Sequence, residues 1–196
     1  MAISSLLLLG LIVVAVLYCV VLYNGLVQVK HAVAKAWADI DVLLKQRHDE
    51  LPKLVEACKQ YKQFEQETLQ RVIEARSRVQ AAREHRDVPA LGAAEGWLRA
   101  SVGRLFAIAE AYPELKANES FMQLQGRITA LENAIADRRE LYNENVNINN
   151  VKIEQFPDAL VARLFNFEAK PLLEFASADP AYATSTRNPA RAAASH

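Results

Sequence analysis

The chain has 196 residues, 52% of them hydrophobic, with only six glycines; at roughly 100–200 residues per domain this allows one folded domain with appendages. Lysine plus arginine balances aspartate plus glutamate, 23 against 23, which excludes a strongly basic nucleic-acid-binding body and an acidic tail. Abundant Ala, Leu, Glu, Arg and Gln with little glycine favour helix, so the expected fold class is all-α with a membrane segment.

Residues 1–29 carry no charged side chain, and residues 3–23 ("ISSLLLLGLIVVAVLYCVVLY") are almost wholly apolar. About 20 such residues cross the hydrocarbon core as a helix. No lysine or arginine precedes the run and no small-x-small cleavage site follows it, so it reads as a permanent anchor in membrane lipid and not as a signal peptide. Tyr18 and Tyr23 suit the interfacial aromatic belt. Lys30, Lys35, Lys45 and Arg47 follow the span, which by the positive-inside rule predicts a single-pass topology with the N-terminus outside and the body in the cytoplasm.

Beyond the span, Leu26, Val29, Val33, Trp37, Ile40 and Leu44 recur three and four apart, the stripe of an amphipathic helix. Only Asn24-Gly25 separates span from stripe, so one continuous rod is allowed. Leu51, Leu54, Val55, Cys58, Tyr61, Leu69, Val72 and Arg76 carry the pattern to about His85. Between the two, "RHDELPKL" offers Asp49 as a cap and Pro52, which a helix tolerates only in its first turn. A turn is the simpler reading there, with a kinked continuous helix as the alternative.

"HRDVPALGAAEG" reads as a hairpin connection to a third helix with Leu98, Val102, Leu105, Phe106 and Ala109 inward. Pro113 in "AYPELKANES" stops it, and Asn118 or Ser120 caps a fourth helix. That helix is periodic through Leu124, Ile128, Leu131, Ile135, Arg138, Tyr142, Val146, Asn149, Ile153 and Phe156. Asn143, Asn145, Asn147 and Asn149 alternate as a strand would, yet the helical period enters and leaves in phase, so the stretch is read as helix. A short amphipathic helix is expected over 157–175, capped by Asp158, with Leu160, Val161, Leu164, Phe165 and Phe167 apolar. It either closes the end of a bundle or rests on the bilayer. The domain organisation is then an anchor over 1–23, a helical bundle over 24–156, the amphipathic helix over 157–175 and a disordered tail over 176–196.

The chemistry of sites is sparse. None of the four histidines stands in a Glu-x-x-His, and Cys19 and Cys58 lack metal-ligand spacing. Nucleophile elbows, phosphate loops and zincin motifs are missing. Asp39 and Asp41 project about 200° apart on a helix and cannot share a substrate. The basic run "ARSRVQAAREHR" has no aromatic stacking residues, and a solvated face is the better reading. Catalytic, cofactor-binding and metal-binding residues are therefore expected to be none, with no cofactor, no enzyme activity and no nucleic-acid partner.

"YNGLV", "AWADIDVLLKQRHDELPKLVEACKQY", "EAR", "AYPELKANESFMQLQ", "LENAIADRRELYN" and "FPDALVARLFNFE" occur in that order. Over roughly residues 23–175 they closely resemble the LemA family of small bacterial membrane proteins. The resemblance implies an antiparallel four-helix bundle behind one N-terminal span at the bacterial inner membrane, and favours a turn near Pro52. It implies no enzyme activity; relatives are associated with membrane organisation, including magnetosome formation, and with envelope functions alongside membrane proteases. The chain departs from the family pattern where a second Tyr-Asn is usual and Asn149-Asn150 stands instead.

The expected function is a self-assembling scaffold, a homo-oligomer with a coiled-coil-like bundle; the alternative is an adaptor tethering an envelope protease or signalling partner. Candidate assembly or partner contacts are Trp37, Asp39, Asp41, Tyr142, Asn143 and Asn149. Trp37 and Tyr142 fit core filling equally well. Asn149 lies on the apolar stripe, where a buried amide demands a partner and can set register or oligomer state.

Overall fold

A computed structural model describes residues 2–61 and 64–176. Six helices follow one another: α1 (Ala2–Lys59), α2 (Gln66–Glu84), α3 (Val88–Ala109), α4 (Pro113–Lys116), α5 (Glu119–Glu154) and α6 (Asp158–Leu164). No strand occurs among the described residues, and the asparagine-rich stretch lies inside α5, as its period requires. The expected tail lies outside the described residues after Ala176.

Helix α1 joins span and stripe in one element, so Asn24-Gly25 does not interrupt it. Its N-terminal part is long and apolar enough to cross a membrane, and none of the most apolar 18-residue window is buried within the protein. The turn expected at Pro52 is not there: the helix runs through it and stops at Lys59. Proline has no N–H to give the carbonyl four residues back, which is the reason a break was expected. Here the orphaned carbonyl of His48 accepts instead from Arg76 Nε, 3.0 Å away on α2. A cation on the apolar phase of α2 thus repairs the defect in α1. The chain reverses beyond Lys59, where Phe64 N–H bonds back to the Tyr61 carbonyl (2.9 Å).

The connection between α2 and α3 is shorter than expected, and all of "VPALGAAEG" is helix. Arg86 takes φ 53°, and the Asp87 N–H returns to the Ala82 carbonyl (3.0 Å), a left-handed helix end closed in three residues. The Asp87 carboxylate then accepts from Ala90 N–H (3.0 Å), capping α3 with Pro89 in its first turn. Gly92 and Gly96 sit inside α3 because backbone lies on them. A Cβ would fall 2.0 Å from the Glu174 carbonyl oxygen at Gly92, and 2.1 Å from that of Ala176 at Gly96. Gly92 also accepts from the Ala176 N–H at 3.3 Å. Asn118 caps α5 by accepting from Phe121 N–H (3.1 Å).

The described residues divide into two compact units, one of residues 2–40 and 137–172, the other of 41–61, 64–136 and 173–176. In the first, Leu26 of α1 is buried with Val161 and Ala162 of α6, and Leu22, Ile153 and Phe167 pack against them. The second buries Leu44, Leu51, Leu54 and Cys58 of α1, Val72, Ala75 and Val79 of α2, and Leu91, Leu98, Val102 and Leu105 of α3. Phe121, Ile128 and Ile135 of α5 are buried in it as well. Burial pushes the Cys58 thiol up to about 12, so it stays protonated and behaves as a small hydrophobe.

Two of the positions assigned to the stripe of α5 are exposed, Arg138 and Phe156; the latter follows the end of the helix at Glu154. The helix expected over 157–175 ends at Leu164, with Asn166 in the left-handed region at φ 53° and residues 167–176 outside regular structure. Asp158 opens this helix as its first residue, with Pro157 in the cap position. The physical reason for the early stop is competition: side chains of α5 bind the backbone that a longer helix would have bonded to itself.

Candidate functional site

In the first unit that competition builds a cluster of side-chain to backbone hydrogen bonds. Asn150 reaches Lys170 twice, donating from Nδ2 to its carbonyl (2.9 Å) and accepting its N–H on Oδ1 (2.9 Å). One side-chain amide therefore does for residue 170 what a neighbouring strand would do. Asn149 is buried and donates to the Glu168 carbonyl (3.3 Å) and to Asn150 Oδ1 (3.1 Å). Tyr142 donates its hydroxyl to the Pro171 carbonyl (3.1 Å), and burial raises its pKa, which keeps the phenol a donor. Its ring meets Trp37 at 5.5 Å between centroids, inclined 60°. Asn145 instead bonds back to the Leu141 carbonyl of its own helix (2.7 Å).

Trp37, Tyr142 and Asn149 thus serve the interior of the unit. Asn143 is half-buried, while Asp39 is exposed. Asp41 belongs to the second unit and forms an ion pair with Arg83. Tyr18 is exposed along the apolar run, and Tyr23 packs against Phe165 at 4.7 Å with the rings inclined 57° and meets Phe167 edge-on at 6.0 Å. Beside these rings is a cavity of about 460 Å³ whose lining includes Lys30, His31, Asn149, Asn166, Glu168 and Lys170.

The second unit holds a different cluster, absent from the sequence-based expectations. Arg47 and Glu95 are 2% and 1% exposed, and Arg47 Nη2 meets both Glu95 oxygens at 2.5 Å. Glu132 is raised from the ordinary carboxylate range, first by desolvation and further by the nearby Glu95, against opposing pulls from Arg47 and Arg99. Arg47 Nε and Glu132 Oε1 are buried without a hydrogen-bond partner among the described residues. Glu50, also buried, pairs with Arg127 at 2.5 Å. A signal for the main pair existed. Arg47 stands between Leu44 and Leu51, and Glu95 between Leu91 and Leu98, each in phase with a buried stripe. Among the described residues no three His, Cys, Asp or Glu side chains are grouped to hold a metal ion.

The sequence pattern of the LemA family matches residues 36–185. Magnetosome protein MamQ 2 of Paramagnetospirillum magneticum is 30% identical over 79 residues, which cover 40% of this chain and 29% of the relative. Magnetosome protein MamQ of Magnetospirillum gryphiswaldense matches to the same extent. The chain thus spans about three tenths of the length of these curated relatives.

Proposed function

The chain belongs to the LemA family, and from that premise we propose that it is a non-enzymatic, membrane-anchored helical scaffold that assembles with its own copies. The observation that carries this reading is the uncovered apolar part of α1, which is continuous with a helix that enters both folded units. Anchoring concentrates identical chains in two dimensions, so weak contacts between copies suffice for assembly. Helices α1, α2, α3 and α5 are assigned to an antiparallel four-helix bundle, carried on the cytoplasmic side of the bacterial inner membrane. The anchor is assigned to residues 1–23 and the bundle to 24–156. The magnetosome proteins among its relatives support a role in membrane organisation.

Exposed Val42, Leu141, Ile148 and Val151 offer apolar contacts to a neighbouring copy. Asn149 acts indirectly in this reading: its amide holds the segment after α6, and that segment shapes the surface a neighbour meets. Electron microscopy of full-length protein extracted with its lipid is expected to show closed rings or lattices. A monodisperse monomer across detergents and concentrations overturns the assembly reading. If Asn149→Leu leaves both assembly and stability unchanged, the specifying role of this residue is removed.

An adaptor reading draws support from one place in the second unit. Trp97 is 47% exposed beneath the Arg78 guanidinium, 4.1 Å from its ring centroid, beside Ala90, Ala93 and Ala94. Crosslinking from position 97 to one heterologous protein, with no self-crosslinks, would favour this reading over the scaffold.

A further inference from the structure

The cavity beside Tyr23 lies where α1 leaves its apolar run. Lys30 and His31 are the first basic side chains after 29 residues without charge, so they mark the boundary between hydrocarbon and water. Across from them, α6 is held on α1 by Val161 and Ala162 against Leu26. Its opposite face carries Leu160 and Leu164 at 62% and 74% exposure, with Phe156 at 78% just before it and Phe165 at 54% just after. Four large apolar side chains left bare around a seven-residue helix are costly in water. Placed beside the end of a membrane span they lie against lipid instead.

The cavity lining itself includes charged and polar side chains. Lys30 Nζ stands 5.8 Å from the Phe167 ring centroid, and Lys170 Nζ lies 3.9 Å from Glu168 Oε2, with both partners of the latter pair solvent-accessible. Two ammonium groups against the one carboxylate of Glu168 leave the lining with a formal excess of one positive charge, and His31 and Asn166 add hydrogen-bonding groups. That balance suits a monoanion better than a dianion. The volume, about 460 Å³, accommodates a phosphodiester headgroup.

We propose that this cavity binds the phosphodiester headgroup of an anionic glycerophospholipid, with Lys30 and Lys170 contacting the phosphate and the acyl chains lying along Leu164 and Phe165. The proposal rests on the anchoring of α1 in a bilayer and is independent of self-assembly. The hydrogen bonds between the side chains of Asn149 and Asn150 and the backbone of residues 168 and 170 hold Lys170 in reach of the site. The amide strap therefore shapes a lipid site as well as closing a fold.

The test uses full-length protein reconstituted into vesicles of phosphatidylcholine with and without phosphatidylglycerol, read by flotation and by lipid retained in native mass spectrometry. Wild type is expected to retain phosphatidylglycerol about tenfold more than phosphatidylcholine, and the Lys30→Gln/Lys170→Gln double variant to lose that preference. The Lys30→Arg variant is expected to keep it, and the double variant to melt as wild type does. Equal retention of the two lipids by wild type, or an unchanged preference in the double variant, overturns the proposal. Displacement of the bound lipid by inorganic phosphate also overturns it, because the site would then take the free anion. Protein that fails to float removes the anchoring premise, whereas protein that floats without preference removes only the headgroup site.

Discussion

The two units solve the same problem, burying polar groups, in opposite ways. The first unit spends neutral amides and a phenol on the backbone of residues 168–171. The second buries a full ion pair, Arg47 with Glu95, and a raised carboxyl beside it. Neutral hydrogen bonds contribute modestly and fail locally when lost. A buried ion pair contributes little beyond an apolar substitute, but losing one partner leaves an uncompensated charge in the interior. The lesson is that the second unit is brittle to single changes and the first is tolerant of them. Each unit contains one tryptophan, Trp37 in the first and Trp97 in the second, so fluorescence of Trp37→Phe and Trp97→Phe backgrounds reads them separately.

The largest effect is expected from Glu95→Ala, which strands the Arg47 guanidinium; a loss of about 3–5 kcal/mol should appear in urea unfolding followed at Trp97. The paired change Arg47→Met with Glu95→Met should cost far less. If the pair of changes is as damaging as the single one, the ion pair is not the source of the brittleness. Next, Gly96→Ala drives a methyl into the Ala176 carbonyl and should cost about 1–3 kcal/mol. Faster proteolysis around residues 174–176 would accompany it, and an unchanged cleavage pattern would count against the close approach.

In the first unit, Asn150→Ala removes both bonds to Lys170 and should cost about 1–2 kcal/mol. The change should be seen at Trp37 and not at Trp97, with faster amide exchange at Lys170; an equal response at both tryptophans would deny the units their independence. A subtler prediction concerns Pro52. Arg76→Met should destabilise wild type more than it does a Pro52→Ala variant, in which the helix again has a donor for His48. The expected coupling is about 1 kcal/mol, and additive effects would show that Arg76 does not repair the helix.

The smallest effect is a pH dependence. Glu132 has a folded pKa raised above its unfolded value, so its charged form opposes folding at neutral pH. The penalty shrinks as pH falls through the raised pKa and is gone below the ordinary value. Replacing Glu132 with Gln should therefore stabilise the second unit at neutral pH and flatten its stability profile on the acidic side. Equal profiles for the two proteins would show that the buried charge is relieved by solvent.

The same contrast explains what could be read from the amino-acid sequence. The apolar run, the helical class, the helical state of the asparagines and the Asn118 cap were legible because each depends on neighbours in sequence. The passage of α1 through Pro52 was not, since the repair comes from Arg76 on another helix. Gly92 and Gly96 read as a loop because the chain that covers them arrives 80 residues later, from Glu174 to Ala176. That Asn149, on the apolar stripe of α5, would need a partner was legible, but not that the partner is the Glu168 carbonyl beyond α6. For Arg47 and Glu95 the clue was present in the phase of the stripe. Nothing local, however, distinguishes a buried pair from two solvated charges.

By itself the sequence determined that this protein is helical, where it can cross a membrane and which family it resembles. Those properties follow from hydrophobic periodicity, length and local capping, which need no distant partner. Tertiary structure alone decided that a proline lies mid-helix, that two glycines lie under a carbonyl-bearing strand of chain, and that a helix stops at Leu164. Each depends on a hydrogen bond or contact between residues 19 or more positions apart, whose formation offsets a local cost that short-range rules count in full.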